Sequence, residues 1–251
     1  MKKTAILLGG MPDNFIKDAK LFEGIEKKFN CTIKRIGEFE AETQMGDNYV
    51  KFFFCYKPRR DKNYLDSAKW YKKTWKSNIS PPANEVAKKI KNFDMVIFFG
   101  FCGAFNEEKN RVCLPNKFSE IDFEESFIRL KHIDKIKASA SIELNNILIG
   151  KIKGEKCRTV SSNLTLMPKN IEGNSKEHLK ILASNLSKHA DVVEMETYTI
   201  VKELDGKLPL GVFLFVSDVL DKDKDMLESK AIKFNLEIFK KSCLETIEKF
   251  V

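Results

Sequence analysis

Paired cysteines are missing from this chain. Cys31, Cys55, Cys102, Cys113, Cys157 and Cys243 stand apart, with no CxxC and no spacing suited to a metal. That pattern argues against a disulfide framework and for six free thiols, mostly buried, in a reducing compartment. Histidine is scarce too. His132, His178 and His189 lie far from one another, each beside Lys or Glu, which speaks against zinc. Glycine and proline are few, at 12 and 7 in 251 residues, and no repeat or Gly/Ser/Pro linker divides the chain. Collagenous, low-complexity and disordered classes are thereby excluded. Long apolar runs are absent as well. The longest, 208–216, has strand length, short of the roughly 18 residues of a membrane helix. The run 5–8 stops at Gly9-Gly10, too soon for a signal-peptide core. The expectation is a cytoplasmic protein with no membrane partner.

Arginine is also in short supply. Of 44 Lys+Arg, set against 36 Asp+Glu for a net charge of +8, just six are Arg: Arg35, Arg59, Arg60, Arg111, Arg129 and Arg158. Lysine spread along a whole chain is ordinarily a solvated surface, so nucleic acid is not the expected partner. One segment, 51–76, is both basic and aromatic, with Tyr56, Arg59, Arg60, Tyr64, Trp70, Tyr71 and Trp75. It reads as an insertion around 57–80, either a surface for RNA or another partner or an oligomer interface, where aromatics are enriched.

What the chain does have is alternation. Short β-branched or aromatic runs occur at 5–8, 32–36, 50–56, 95–99, 147–152, 158–160, 192–193 and 211–216. Helical patterns occur at 19–28, 84–91, 177–186, 197–204 and 226–250. The runs 95–99 and 211–216 are apolar on both faces and suit central strands covered on both sides. The alternation predicts a single α/β domain, a three-layer α/β/α sandwich. The pair Asn145-Asn146 before 147–152 suggests some antiparallel pairing.

Three segments at predicted strand ends carry the chemistry, since ligand sites of open α/β sheets gather there. Phe99-Gly100-Phe101-Cys102-Gly103-Ala104 has two glycines three apart. They allow a sharp turn that offers N–H groups to an anion or sugar, or simply a turn. Asp191-Val192-Val193-Glu194-Met195-Glu196-Thr197 runs a short strand into two carboxylates. If the strand continues, Glu194 and Glu196 face one side and suit a polyhydroxyl ligand. Alternatively, Glu196 begins a helix and favours its dipole. Val216-Ser217-Asp218 ends the most apolar strand. There a carboxylate is either a proton donor, its pKa raised by desolvation, or the cap of a turn. The following Asp221, Asp223 and Asp225 lack the glycine and framing of a calcium loop and read as a solvated acidic stretch.

Together these segments resemble the purine nucleoside phosphorylase/uridine phosphorylase family, which also contains methylthioadenosine/S-adenosylhomocysteine and AMP nucleosidases. The resemblance rests on 98–104, 161–164 and 191–218, in the family's order. It implies a mixed, partly barrel-like sheet flanked by helices, no cofactor, and cleavage of an N-glycosidic bond of a small-molecule partner, a nucleoside, by a homo-oligomer. Met195 then packs on the ribose, Glu196 accepts from its hydroxyls and Glu194 lines the same pocket. Val160, Ser161 and Ser217 lie by the base, and Asp218 protonates N7 of a purine. An oxocarbenium-like sugar and an anionic leaving base are the two charges such a site must stabilise.

The departures concern the nucleophile. Phosphorolytic members carry Arg two residues before the first glycine of GxxG and Ser or Thr after that glycine; Phe98 and Phe101 stand there. Their GDPxR loop is replaced by Gly9-Gly10-Met11-Pro12-Asp13-Asn14. The nucleosidase glutamates that follow Gly-Ala-Met are missing too, and no aromatic follows Ser162 to stack on a base. Three readings stay open. Inorganic phosphate is a co-substrate, held by Gly10, Gly100 and Phe101 of the two glycine segments with Arg59 and Arg60; water attacks instead; or Arg59, Arg60 or Arg158 holds a 5′-phosphate. Beyond enzymes, the same fold without its catalytic groups is a binding protein. The joint presence of Met195, Glu196 and Asp218 favours an enzyme.

Overall fold

The computed structural model describes residues 1–9, 20–37, 39–55, 83–105, 112–121, 138–143, 155–162, 184, 186–204, 207–219 and 232–251. Within them the strands are β1 (Lys2–Gly9), β2 (Lys34–Gly37), β3 (Glu40–Met45), β4 (Asn48–Cys55), β5 (Met95–Ala104), β6 (Val112–Ile121), β7 (Ala138–Glu143), β8 (Glu155–Ser162), β9 (Val192–Glu194) and β10 (Leu210–Val219). The helices are α1 (Leu21–Phe29), α2 (Ala83–Lys89), α3 (Thr197–Leu204) and α4 (Ile232–Phe250).

All ten strands join one sheet in the order β10-β6-β8-β9-β5-β1-β4-β3-β2, with β7 on β6. A further pairing of β10 with β5 closes β5, β10, β6, β8 and β9 into a barrel. β1, β4, β3 and β2 extend outward from it. The sheet is mixed. β1 is parallel to β4 and β5, and β10 is parallel to β5, whereas β2–β3, β3–β4, β6–β7, β5–β9 and β10–β6 are antiparallel.

Strand alternation sorts the apolar residues into two cores. Phe52, Phe54, Phe99, Phe213 and Phe215 pack with Leu21 and Ile25 of α1 and Phe239, Cys243 and Ile247 of α4. Phe53, Phe98, Cys102 and Val212 pack with Val86 of α2 and Tyr198, Ile200 and Val201 of α3. Helices thus cover both faces, the three-layer arrangement expected from the sequence. β5 and β10 are interior strands; the whole of β5 is buried apart from the partly exposed Phe101, and β10 is buried from Leu210 through Ser217.

Most expected elements overlap observed ones. The expected strand 147–152, the turn Asn145-Asn146, most of the helix 177–186 and the start of 226–250 lie outside the described residues, as does the insertion 57–80. Three strands were not foreseen. β3 alternates small and polar residues with few β-branched ones. In β6, Pro115 interrupts the apolar run, and the ladder with β8 shifts register between Pro115 and Lys117, the kind of bulge that tolerates proline. β7, Ala-Ser-Ala-Ser-Ile-Glu, is too weakly apolar to announce itself. None of the six cysteines forms a disulfide, and five are buried.

Candidate active site

Two strands meet head-on along one edge of β5. β1 pairs with it up to Leu8 opposite Phe99. β9 arrives from the other direction and pairs Val193 with Gly103 and Val192 with Ala104. Gly100, Phe101 and Cys102 separate the two ladders. On the opposite edge β10 follows β5 from Val96 to Ala104. The sheet therefore opens where β1 and β9 both end, and β4 ends there too, with Cys55 beside Gly9. Such a break at the carboxyl ends of parallel strands is where α/β sheets place ligands.

The opening is bordered by Glu194, Met195 and Glu196. The strand stops at Glu194 and α3 starts at Thr197, so of the two readings of Glu196 the helix-start one holds: the chain turns there and does not run extended through Glu196. Glu194 is 5% exposed. Its Oε2 accepts from the N–H of Glu196 at 2.6 Å and of Thr197 at 2.7 Å, and its Oε1 accepts from the Thr197 hydroxyl at 2.6 Å. These amides are the orphan donors of a helix start, where the dipole also favours negative charge. The carbonyl of Glu196 accepts the first helical bond, from Ile200 N–H at 3.3 Å. The Glu196 side chain is buried and Met195 is partly exposed. Burial, and then the charge of Glu196, push the Cys55 thiol well above its ordinary range, keeping it protonated. Cys55 ends β4, so the Glu196 charge lies near enough to that strand end to be felt there.

Across β5, the β10 ladder pairs Val216 with Cys102 and Asp218 with Gly103. Ser217 is the extra residue of a bulge, a device that re-aims side chains beside sites. Its buried hydroxyl donates to the Cys102 carbonyl at 3.3 Å. Val160 and Ser161 lie in β8, opposite Val193 and Glu194. Backbone register thus gathers Val160, Ser161, Glu194, Met195, Glu196, Ser217 and Asp218 around one stretch of β5.

The glycine segment is not a turn. β5 continues through Ala104, so Gly100 and Phe101 offer no loop of free amides. The glycines make room instead. A Cβ on Gly9 would stand 2.1 Å from the Phe98 ring, and one on Gly100 would stand 2.6 Å from it. Phe98 itself is 1% exposed. The Phe101 ring packs on the other face, 4.8 Å from Phe239 and 6.2 Å from Phe215 between centroids. Arg158 is committed elsewhere. Its guanidinium grips Asp191 at 2.8 and 3.2 Å, at the end of β9 away from Glu194, which removes it as a candidate for a 5′-phosphate. Gly10, Arg59 and Arg60 lie outside the described residues. Two residues were not anticipated: Thr197, whose signal is the preference of helix starts for Thr, and Cys55, which carried no signal.

No family model matches the chain, and no curated protein matches its sequence. Solved structures do match. A futalosine hydrolase mutant from Helicobacter pylori superposes with a TM-score of 0.66 at 12% identity, covering 100% of both chains. The 5′-methylthioadenosine/S-adenosylhomocysteine nucleosidase of Campylobacter jejuni gives 0.59 at 15%, again over 100% of both. The 5′-methylthioadenosine nucleosidase of Arabidopsis thaliana gives 0.64 at 14%, over 99% of this chain and 96% of that one. This is the nucleosidase fold. At these identities the likeness is one of fold, and it bears out the architecture that the sequence resemblance implied. In the nucleosidase fold of this chain, the described residues hold no group of three His, Cys, Asp or Glu able to bind a metal. No described helix is long and apolar enough to cross a membrane.

Proposed function

We propose that this chain is a nucleosidase that hydrolyses the N-glycosidic bond of a purine nucleoside. One observation carries the reading. Gly103 of β5 pairs with Asp218 on one edge and with Val193 on the other. Neighbouring strands lie about 4.8 Å apart, so the backbones of Asp218 and Val193 stand about 10 Å apart on either side of β5, a separation that a nucleoside lying over β5 would span. In this reading Met195 packs on the ribose, Glu196 accepts from its hydroxyls, and Val160, Ser161 and Ser217 border the base. Asp218 gives its proton to N7 as the C1′–N9 bond breaks and its electron pair goes to the purine. Water forms the new C1′–O bond, and the proton it sheds restores the acid.

Water is favoured over phosphate by Phe98. Its ring fills the space above Gly9 and Gly100, at the sequence position where phosphorolytic members of the resembled family carry Arg. An apolar ring supplies no donor and no charge to compensate the desolvation of an oxyanion. We therefore assign no cofactor and no phosphate co-substrate. Cysteines that form no disulfide fit a cytoplasmic setting, and the aromatics of 57–80 fit an insertion that joins copies of one domain into a homo-oligomer.

Adenosine, inosine, guanosine and methylthioadenosine, each with and without phosphate, form the test. Free base and free sugar are expected in equal amounts irrespective of phosphate; a sugar 1-phosphate product overturns the hydrolytic reading. Asp218→Asn should lower turnover about 100- to 10,000-fold, while a nitrophenyl riboside, whose leaving group needs no proton, should be nearly unaffected. Equal losses on both substrates mean that Asp218 is not the acid.

A further inference from the structure

Both backbone polar groups of Glu196 are tied down. Its N–H donates to Glu194 at 2.6 Å, and its carbonyl accepts from Ile200 at 3.3 Å. The next residue is held twice by the same carboxylate, through the Thr197 N–H at 2.7 Å and the Thr197 hydroxyl at 2.6 Å. Glu194 and Thr197 are 5% and 1% exposed, so water does not compete for these bonds. The three donors use three of the roughly four lone-pair sites of a carboxylate.

We propose that Glu194 and Thr197 form a clamp that fixes the turn presenting Glu196, and that Glu194 is a positioning residue rather than a second acceptor for the ribose. The proposal rests on the nucleosidase reading for its consequence in catalysis, but the clamp itself is a property of this turn. Three converging donors require both oxygens of a carboxylate as acceptors. A Gln at 194 has one acceptor and a donating amide that faces one of those donors. A Val at 197 keeps the volume of Thr and removes one donor, and a Ser restores that donor.

The experiment compares Thr197→Val, Thr197→Ser and Glu194→Gln in the full chain by two readouts. The first is amide hydrogen exchange over 196–200, with the β1 amides as internal reference. Thr197→Val should raise exchange at this turn about tenfold while β1 stays protected, and Thr197→Ser should recover protection. The second is turnover of adenosine and methylthioadenosine. Thr197→Val should lower kcat about tenfold with KM little changed, because a misplaced acceptor loses most in the transition state. Thr197→Ser should recover it, and Glu194→Gln should lose more than Thr197→Val. If Glu194→Gln abolishes turnover while Thr197→Val changes neither readout, Glu194 is a ligand and the clamp is overturned. A rise in exchange spread equally to β1 also overturns it. If the unmodified chain turns over neither nucleoside, the nucleosidase reading fails on that count alone; exchange then decides the clamp, and an unprotected turn in Thr197→Val with recovery in Thr197→Ser still supports it.

Discussion

Phe98 shows how one side chain shapes both packing and chemistry. The ring is buried, and it presses on the backbone of Gly9 in the neighbouring strand and of Gly100 two residues along its own. Neither glycine serves a turn; each is small because the ring needs the room. Gly9→Ala should therefore destabilise the protein by about 1–3 kcal/mol through overpacking, read as a Tm lower by several degrees. Phe98→Leu in the same chain should return part of that loss by shortening the ring side. A Gly9→Ala protein as stable as the parent would mean that the ring swings aside and that the space above β1 is not filled. Cys55 has a different lesson. Its thiol, silent in the sequence, is pushed well above its ordinary range first by complete burial and then by the Glu196 charge.

At the scale of elements, the barrel depends on how β9, three residues long, is held. It pairs with β8 and β5, and its start is tied to β8 by Arg158 and Asp191. The Arg158 N–H and guanidinium both donate to the Asp191 carboxylate, and the Asp191 N–H donates to the Arg158 carbonyl at 2.8 Å. The hydrogen bond from the Arg158 side chain is the leading cause that lowers the Asp191 pKa below its ordinary 3.8. A carboxylate with a depressed folded pKa contributes stability that is fully present above the unfolded value and lost as pH falls through the folded one. The side chains of Arg158 and Asp191 are 44% and 34% exposed, so solvent screens the pair and its contribution is small. Asp191→Asn should flatten the fall of Tm as the pH is lowered from 5 to 3. An identical slope in both proteins would show that the tie carries no linkage. At the other end of β9, the Glu194 cap ensures that helix α3 starts where the strand stops.

For the molecule as a whole, α4 is the closing element. It covers the α1 side of the sheet, and its last residues reach back to the strand origins, where Lys2 Nζ donates to the Phe250 carbonyl and Asn48 to that of Val251. Phe239 is its anchor, 1% exposed and set among Phe101 and Phe215 with centroids 4.8 and 6.0 Å away. Phe239→Ala should cost about 3–5 kcal/mol, the transfer of the ring plus the cavity it leaves. Chemical denaturation reads this directly. A loss below about 1 kcal/mol would mean that the sheet closes over the gap and that α4 is not held at this point. The Phe101 ring belongs to this cluster, which is why the residue after the first glycine of GxxG is part of the core and not of an anion loop.

Periodicity and residue type in the sequence were enough for the strands at 95–99 and 211–216, the helix 197–204 and the three-layer class, because apolar period and burial are local properties that neighbours in the chain express. The order of the motifs around Gly100, Glu194-Met195-Glu196 and Ser217-Asp218 was enough to indicate the fold. Only the tertiary structure decided that GxxG is strand, since the reason lies in a ring that crosses to another strand. It alone decided that Glu194 reaches forward to Thr197, since the strand ends at Glu194, two residues short of Glu196, and that Ser217 bulges, since a bulge is defined by the partner strand. The closure of β10 onto β5 is likewise a long-range pairing with no local signature: residues more than a hundred positions apart set it, and no window of sequence contains both.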